Sequence, residues 1–333
     1  MAAFGYELPD AAIAQTPVEP RDAARLLVAT DPAGAVEHLR VADLPDLLGD
    51  GDLLVVNETR VLPARLNLQK ETGGSVEVLL LEPDGDERTW QAMVRPSRRV
   101  APGTVLEAGE DLALEIGEQL GDGRRRVHVR ADDLHAALEA HGVMPLPPYI
   151  HEPLADPERY QTTYARIPGS VAAPTAGLHL TTAVLDRCRE RGVATASVDL
   201  AVGLDTFRPV VEERAEDHRI HSERYRVPAD TLDACRRARR VVAVGTTTTR
   251  ALETAAAGGS LEGRTGLFIH GDYRFKVVDV LLTNFHLPRS SLLLLLAAFA
   301  GERWRDLYEC ALVEGYRFLS FGDAMLVARD DNR

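Results

Sequence analysis

The stretch that decides the fold is Val241-Val242-Ala243-Val244-Gly245-Thr246-Thr247-Thr248-Thr249-Arg250. The apolar residues predict a buried strand, and the residues after the glycine are predicted to open a helix. Backbone N–H groups at the start of a helix have no partner within it, so Thr246, Thr247 and Arg250 flank a candidate anion site. An alternative in which the threonines only cap the helix stays open. The spacing is not that of a Walker loop.

Strands and helices alternate on both sides of this stretch. A helix over about 181–191 leads to a strand over about 193–202, and a helix over about 230–240 leads into the quoted strand. Further buried strands are predicted at 52–56 and 277–282. This alternation predicts an α/β fold with a mainly parallel sheet covered by helices.

Residues 61–149 have a different pattern. Short apolar or alternating runs are separated by turn signals such as Gly73-Gly74 and Gly121-Asp122-Gly123, which is typical of a small barrel or sandwich. The sequence therefore predicts an inserted β-barrel domain over 61–149. Residues 1–60 and 150–333 are predicted to form one discontinuous α/β catalytic domain.

The composition indicates an ordinary globular protein of 333 residues, 45% hydrophobic and 27% charged. A formal net charge of −13 argues against a protein that coats nucleic acid indiscriminately, although a local basic face would suffice for specific binding. No secretory signal is visible at the start, and the longest apolar run, 292–300, is too short to span a bilayer. The three isolated cysteines predict neither disulfides nor a cysteine metal site. These features predict a cytoplasmic protein without a membrane segment.

One short segment, Asp217-His218-Arg219-Ile220-His221-Ser222-Glu223, concentrates titratable groups. Because a neighbouring carboxylate orients an imidazole and tunes its pKa, His218, His221 and Glu223 are candidates for proton transfer. The HExxH spacing of a zinc site is absent, so no metal is predicted. A solvated loop without chemistry remains an alternative.

Polar side chains also end other predicted strands or lie among small residues. Such positions are where α/β enzymes keep substrate contacts, although a single histidine is more often structural. Together they are more numerous than the polar residues that packing alone would require. They are Asn57, Thr59, Arg60, Thr175, His179, Asn284 and His286.

In order along the chain, these segments resemble the S-adenosylmethionine:tRNA ribosyltransferase-isomerase family of the queuosine pathway. The resemblance covers effectively the whole chain and implies an α/β domain with an inserted β-barrel. The stretches that carry it are 57–66, 144–150, 160–162, 171–179, 217–223, 244–250 and 283–288.

The resemblance implies a transferase and isomerase that needs no metal. In the implied reaction the ribosyl part of S-adenosylmethionine, the cosubstrate, moves to 7-aminomethyl-7-deazaguanine in the tRNA anticodon. The products are epoxyqueuosine-tRNA, adenine and methionine. The implied partner is tRNA that bears the aminomethyl-deazaguanine base, and a monomer is expected.

This chemistry assigns expected roles to the candidate residues. The sulfonium acidifies the adjacent ribose carbon, so His218, His221 and Glu223 are expected to transfer protons. The arginines of the inserted domain, Arg95, Arg98 and Arg99, are expected to contact RNA phosphates. The expected substrate-binding residues are Asn57, Thr59, Arg60, Thr175, His179, Thr206, Thr246, Thr247, Arg250, Asn284 and His286.

One segment departs from the family pattern. Where the family usually has His followed by Val-Gly-x-Gly-Thr-Phe, this chain has Ala201 at the histidine position and Asp205 at the second glycine. The departure leaves two alternatives open. One is a paralogue that uses S-adenosylmethionine on a different deazapurine, and the other is an inactive tRNA-binding protein.

Overall fold

A computed structural model describes residues 1–31, 34–121, 123–203, 210–218 and 220–330. The chain forms two compact units, each made of discontinuous segments. The first comprises Met1–Thr59, Pro147–Ile167 and Ala173–Arg333, and the second comprises Arg60–Leu146 and Pro168–Ala172.

Seventeen strands are present in the described ranges. In chain order they are β1 (Arg25–Ala29), β2 (Glu37–Arg40), β3 (Asp52–Asn57), β4 (Thr59–Val61), β5 (Arg65–Gln69), β6 (Ser75–Asp84), β7 (Asp86–Arg95), β8 (Val105–Ala108), β9 (Leu112–Gly121), β10 (Arg124–Arg130), β11 (Ile167–Ser170), β12 (Ala194–Leu200), β13 (Glu223–Arg226), β14 (Arg240–Val244), β15 (Glu262–Thr265), β16 (Val280–Asn284) and β17 (Ala324–Ala328).

The same ranges contain seven α-helices, and three of them begin after a residue whose side chain caps the helix. Thr181 and Ser290 cap the helices that follow them by accepting a hydrogen bond from the backbone three residues on. No helix of the described residues is long and apolar enough to cross a membrane. The helices are α1 (Leu44–Leu47), α2 (Leu134–His141), α3 (Thr182–Glu190), α4 (Ala229–Arg237), α5 (Thr246–Ala256), α6 (Ser291–Ala300) and α7 (Trp304–Val313).

The first unit is built on a nine-stranded sheet with the order β15-β13-β12-β3-β14-β16-β17-β1-β2. Strands β12, β3, β14 and β16 run parallel to one another, whereas β13, β15, β17 and β2 pair antiparallel with a neighbour. The predicted α/β fold with an inserted barrel is therefore confirmed. The sheet is mixed, because only its centre is joined by helical crossovers, and a short connection such as that from β1 to β2 returns the chain antiparallel.

Alternate residues of the central strands build one apolar layer of this unit. Leu54 of β3, Val242 of β14 and Leu282 of β16 are fully buried against Leu44 of α1 and Val184 of α3. Residues between them, such as Val55, point to the other face of the sheet, because successive strand side chains alternate. Both faces are covered, which explains why the central strands are apolar without interruption.

The second unit contains a closed six-stranded barrel with the order β10-β7-β6-β5-β8-β9. Arg125 of β10 is almost completely buried in it, and its guanidinium donates to the carbonyls of Gly117, Ser97 and Val100. The buried cation thus fixes the short turn Ser97–Arg99 that follows β7.

Glu253 on α5 anchors the segment that leads into β16. Its side chain is fully buried and accepts hydrogen bonds from the backbone N–H groups of Lys276, Val277 and Val278, at 2.8, 3.0 and 3.1 Å. A strand was predicted from residue 277, but β16 begins at Val280. Because the N–H groups of residues 277 and 278 donate to Glu253, they do not donate to a neighbouring strand.

Replacing Glu253 by Ala is expected to destabilise the protein by about 2–4 kcal/mol, because one buried and two partly buried N–H groups lose their acceptor. The midpoint of urea unfolding, followed by circular dichroism, measures the change. Glu262→Ala serves as the control, since Glu262 is exposed on β15 and its loss is expected to cost less than about 0.5 kcal/mol. Equal effects of the two substitutions would contradict the anchoring role.

Candidate functional site

Four parallel strands of the sheet end at the same edge. β3 ends at Asn57, β12 at Leu200, β14 at Val244 and β16 at Asn284. Ligands of α/β proteins bind beyond such carboxyl ends, because the loops that follow the strands converge there.

The turn between β14 and α5 depends on Gly245. Its φ of 91° and ψ of 154° belong to a region that residues with a Cβ rarely adopt. The Gly245 N–H donates to the carbonyl of Leu282 at 2.8 Å, so the turn is fixed to the neighbouring strand β16. As the N-cap residue, a glycine offers no side chain to cap α5. The first N–H groups of α5 therefore have no capping side chain and no partner within the helix.

The four threonines that open α5 divide into two pairs. Thr248 and Thr249 donate from their hydroxyl groups to the carbonyls of Val244 and Gly245, at 2.6 and 3.2 Å. This pair stabilises the turn and is fully buried. Thr246 and Thr247 instead face a pocket at the carboxyl edge of the sheet.

This pocket is partly open to solvent, with about 330 Å³ of empty space that includes part of its mouth, and it contains no charged side chain among its described lining residues. Its wall combines apolar side chains with threonine, asparagine and histidine. The described lining residues are Ala173, Pro174, Thr175, Ala176, Val202, Gly245, Thr246, Thr247, Thr283, Asn284, His286 and Leu292.

A hydrogen-bonded chain fixes the Asn284 side chain in this wall. Its amide nitrogen lies 3.1 Å from His179 Nε2 and 3.3 Å from the carbonyl of Asp323, and its Oδ1 accepts the Thr175 hydroxyl at 3.0 Å. The Asp323 carbonyl can only accept, so the amide nitrogen must face it. His179 Nε2 consequently also accepts and carries no proton.

Both buried histidines near the pocket are neutral. Burial, and after it the positive charges of the nearby Arg317, Arg159 and Arg21, lower the pKa of His179 to about 3. Burial likewise lowers the pKa of His286 to about 3, and His286 Nε2 lies 3.0 Å from the Thr283 hydroxyl. Neither imidazole is protonated at neutral pH.

Five of the expected substrate-binding residues line the pocket together, namely Thr175, Thr246, Thr247, Asn284 and His286. His179 lies directly behind Asn284.

Asn57 joins the ends of β3 and β12, because its amide exchanges hydrogen bonds with the backbone of Leu200 at 2.9 and 3.1 Å. Asn57 Nδ2 also lies 3.5 Å from the Thr247 hydroxyl, and its Oδ1 accepts the N–H of Thr59. Arg60 is part of the second unit. Substrate contacts by these residues stay a prediction.

The residues expected to transfer protons do not line the pocket in the part of the chain that is described. Glu223 is buried in an ion pair with Arg250 Nη1, and its other oxygen accepts the Gly203 N–H at 3.0 Å. Arg250, an expected anion contact, also donates to the carbonyl of Leu267. The ion pair of Glu223 and Arg250 is connected to residues of the pocket wall. Gly203, which bonds to Glu223, follows the lining residue Val202, and Arg250 lies one helical turn after the lining residue Thr246.

His218 pairs with Glu212 through Nδ1 at 2.9 Å and packs edge-on against Phe268. His221 is partly buried at the start of the segment that leads into β13. Proton transfer by either imidazole stays a prediction.

Among the remaining candidates, Arg95, Arg98 and Arg99 are exposed around the turn that Arg125 holds in the second unit. Thr206 and Asp205 lie outside the described residues. Ala201 directly follows β12, and its N–H donates to the carbonyl of Arg224.

Several lining residues were not predicted from the sequence. Thr283 belongs to the same segment as Asn284, so its position at the strand end was a usable signal. Val202 and Leu292 are apolar, and nothing in their sequence context distinguishes a pocket wall from a core.

An uncharged pocket with a few converging polar groups, at the carboxyl edge of an α/β sheet, is typical of an enzyme that binds a small polar substrate. Residues 1–327 match the sequence model of the family described as "Queuosine biosynthesis protein". The chain belongs to this family, which confirms the predicted membership.

Two proteins that are similar to this chain over almost its full length have the same name. The chain is 54% identical over 324 residues to a protein of Rubrobacter xylanophilus and 52% identical over 338 residues to one of Moorella thermoacetica, both named S-adenosylmethionine:tRNA ribosyltransferase-isomerase. These alignments cover 97% of this chain and 96% and 98% of the two relatives. A crystal structure of S-adenosylmethionine tRNA ribosyltransferase from Thermotoga maritima has a TM-score of 0.56 and 38% identity, and the match covers 97% of this chain and 99% of that one.

The neutral histidines predict a specific pH dependence of stability. An unfolded imidazole has a pKa of about 6.5, so below that pH the unfolded chain binds a proton that folded His286 does not bind. Stability is therefore expected to fall as pH drops. The stability advantage of the natural protein over His286→Gln should shrink by about 2 kcal/mol between pH 7.5 and pH 5. Urea unfolding at both pH values measures this difference.

His135→Gln is the matched control, because it removes an exposed imidazole from α2. An advantage over His286→Gln that stays constant with pH would contradict a neutral, buried His286.

Proposed function

We propose that the protein transfers and isomerises the ribosyl moiety of S-adenosylmethionine onto 7-aminomethyl-7-deazaguanine in a tRNA anticodon, releasing adenine and methionine. The observation that carries the proposal is the uncharged pocket at the carboxyl edge of the sheet, in a chain that belongs to the queuosine biosynthesis family over almost its full length. The cytoplasmic location and monomeric state stay predictions.

The electrostatics of the pocket support a cationic cosubstrate. A sulfonium carries a positive charge, and a cationic side chain beside it would repel it. Both histidines at the pocket are neutral, and the charge of Arg250 is balanced by Glu223. The described wall therefore presents no net positive side chain to the ligand.

Proton removal next to the sulfonium requires a base, and we keep Glu223, His221 and His218 as candidates. Glu223 is connected to the pocket wall by a hydrogen bond, because it accepts the N–H of Gly203, which follows the lining residue Val202. Its ion pair with Arg250 supports a second role as a purely structural charge partner. An experiment must separate these two roles.

The first test uses Glu223→Gln, which is expected to abolish the release of adenine from S-adenosylmethionine in the presence of tRNA carrying the aminomethyl base. Removing one partner of a buried ion pair also destabilises the fold by about 3–5 kcal/mol. The double substitution Glu223→Gln with Arg250→Gln removes both charges and tests the structural role. If Glu223 is the base, the double variant stays inactive although its stability recovers.

Adenine and methionine are measured by chromatography, and Glu262→Gln on the neighbouring strand is the control. Full recovery of activity in the double variant would refute Glu223 as the base. The same assay with His221→Ala and His218→Ala then identifies which imidazole is required. Absence of adenine release by the natural protein, with tight tRNA binding, would instead indicate an inactive tRNA-binding protein.

We also propose that the second unit contacts tRNA phosphates through Arg95, Arg98 and Arg99. All three side chains are exposed, and within the described ranges none has an ion-pair partner. Lys70 adds a further cation at this turn, because its ammonium donates to the carbonyl of Arg99 at 3.1 Å.

Replacing Arg98 and Arg99 together by Ala is expected to weaken tRNA binding and to lower the slope of log K against log salt by about 1–2, because about two phosphate contacts are lost. Filter binding at several salt concentrations measures the slope. Arg130→Ala removes an exposed arginine that already pairs with Glu115 and should leave the slope unchanged. An unchanged slope in the double variant would place the RNA contacts elsewhere.

A further inference from the structure

We propose that the pocket holds the amino-acid end of S-adenosylmethionine, with its carboxylate at the start of α5 and its ammonium at Thr175 and Asn284. The inference rests on the proposed function and assigns a substrate group to each wall of the pocket. It follows from the direction of the hydrogen bonds that surround the pocket.

One wall consists of hydrogen-bond donors. The N–H groups of Thr246, Thr247 and Thr248 have no helical partner, and the N-cap residue Gly245 cannot cap them. The Thr246 side chain is only 6% exposed and lines the pocket, and its hydroxyl makes no hydrogen bond to any described residue. A hydroxyl without a protein partner, on a largely buried residue that lines the pocket and beside free N–H groups with a partial positive charge, suits an anionic oxygen.

The other wall consists of acceptors. The Thr175 hydroxyl gives its single proton to Asn284 Oδ1, so only its lone pairs remain for a ligand. The Asn284 amide hydrogens are directed to His179 and to the Asp323 carbonyl, so this side chain also offers only its carbonyl oxygen. A group bound here must donate hydrogen bonds, as an ammonium does.

The two walls lie next to each other. A Cβ added to Gly245 would lie 3.7 Å from the Cβ of Ala176, so the segment with Thr175 lies against the start of α5. A donor wall beside an acceptor wall matches an α-amino acid, whose carboxylate and ammonium share one carbon.

The adenine ring of the cosubstrate also carries both donors and acceptors. It needs flat apolar surfaces, and aromatic rings usually supply them. None of the described lining residues is aromatic apart from the imidazole of His286. The partial charge of the helix start also favours a carboxylate over a neutral ring nitrogen.

Binding of four ligands to the natural protein, measured by calorimetry, tests the assignment. They are S-adenosylmethionine, S-adenosylhomocysteine, decarboxylated S-adenosylmethionine and methylthioadenosine. Removal of the carboxylate is expected to weaken binding about ten- to a hundred-fold, and methylthioadenosine, which lacks the carboxylate, the ammonium and the sulfonium, should bind weakest. S-Adenosylhomocysteine keeps both groups and should bind within several-fold of S-adenosylmethionine.

Two isosteric substitutions test the donor wall and the acceptor wall separately. Thr246→Val should weaken S-adenosylmethionine binding about ten-fold while leaving the affinity for the decarboxylated analogue unchanged. Thr175→Val should weaken both of these ligands but not methylthioadenosine. Thr195→Val, at an exposed position on β12, is the control and should change none of the affinities.

Equal binding of methylthioadenosine and S-adenosylmethionine, with both variants weakening them alike, would place adenine in the pocket and overturn the proposal. The ligand series on the natural protein decides this even if a variant fails to fold. Failure of the proposed function would look different, because carboxylate-dependent binding would persist without adenine release on tRNA. Conversely, adenine release without carboxylate dependence would refute the subsite alone.

Discussion

The positive φ of Gly245 allows β14 to end and α5 to begin within one residue, and the pocket depends on this turn. A side chain at that position would force a strained backbone, and any capping group would occupy the N–H groups that now face the cavity. Thr248 and Thr249 hold the turn by bonding back to Val244 and Gly245. Neighbouring threonines of identical chemistry thus differ in their contacts, because Thr248 and Thr249 bond to the turn whereas Thr246 and Thr247 line the pocket.

Around this turn the protein uses neutral hydrogen bonds and peptide dipoles in place of free charges. Burial keeps His179 and His286 unprotonated, and Glu223 balances Arg250. A wall without net positive charge is compatible with a sulfonium, and the helix start can still attract a carboxylate through its partial charge. The formal charge of −13 therefore says little about the site, whose polarity depends on local partners.

In the second unit, by contrast, a charged side chain is buried and holds the backbone in place. Arg125 is buried and bonded to three carbonyls, whereas Arg98 and Arg99 on the turn it supports are exposed. From the sequence, Arg125 is one of three consecutive arginines and resembles a solvated run. Strand alternation and a bulge in β10 direct it inward, and nothing in the residue types alone distinguishes it from Arg124 or Arg126.

The sequence alone predicted the α/β fold, the inserted barrel and five of the pocket residues, because apolar periodicity is a local signal and parallel strands bring their polar ends to one edge of the sheet. The family followed from the resemblance of whole segments. The tertiary structure decided what each of these residues can do. The neutrality of His179, the acceptor character of Thr175 and the pairing of Glu223 with Arg250 depend on partners 27 to 109 residues away. Hydrogen-bond direction and burial arise only when such distant groups meet, so residue type and spacing could not predict them.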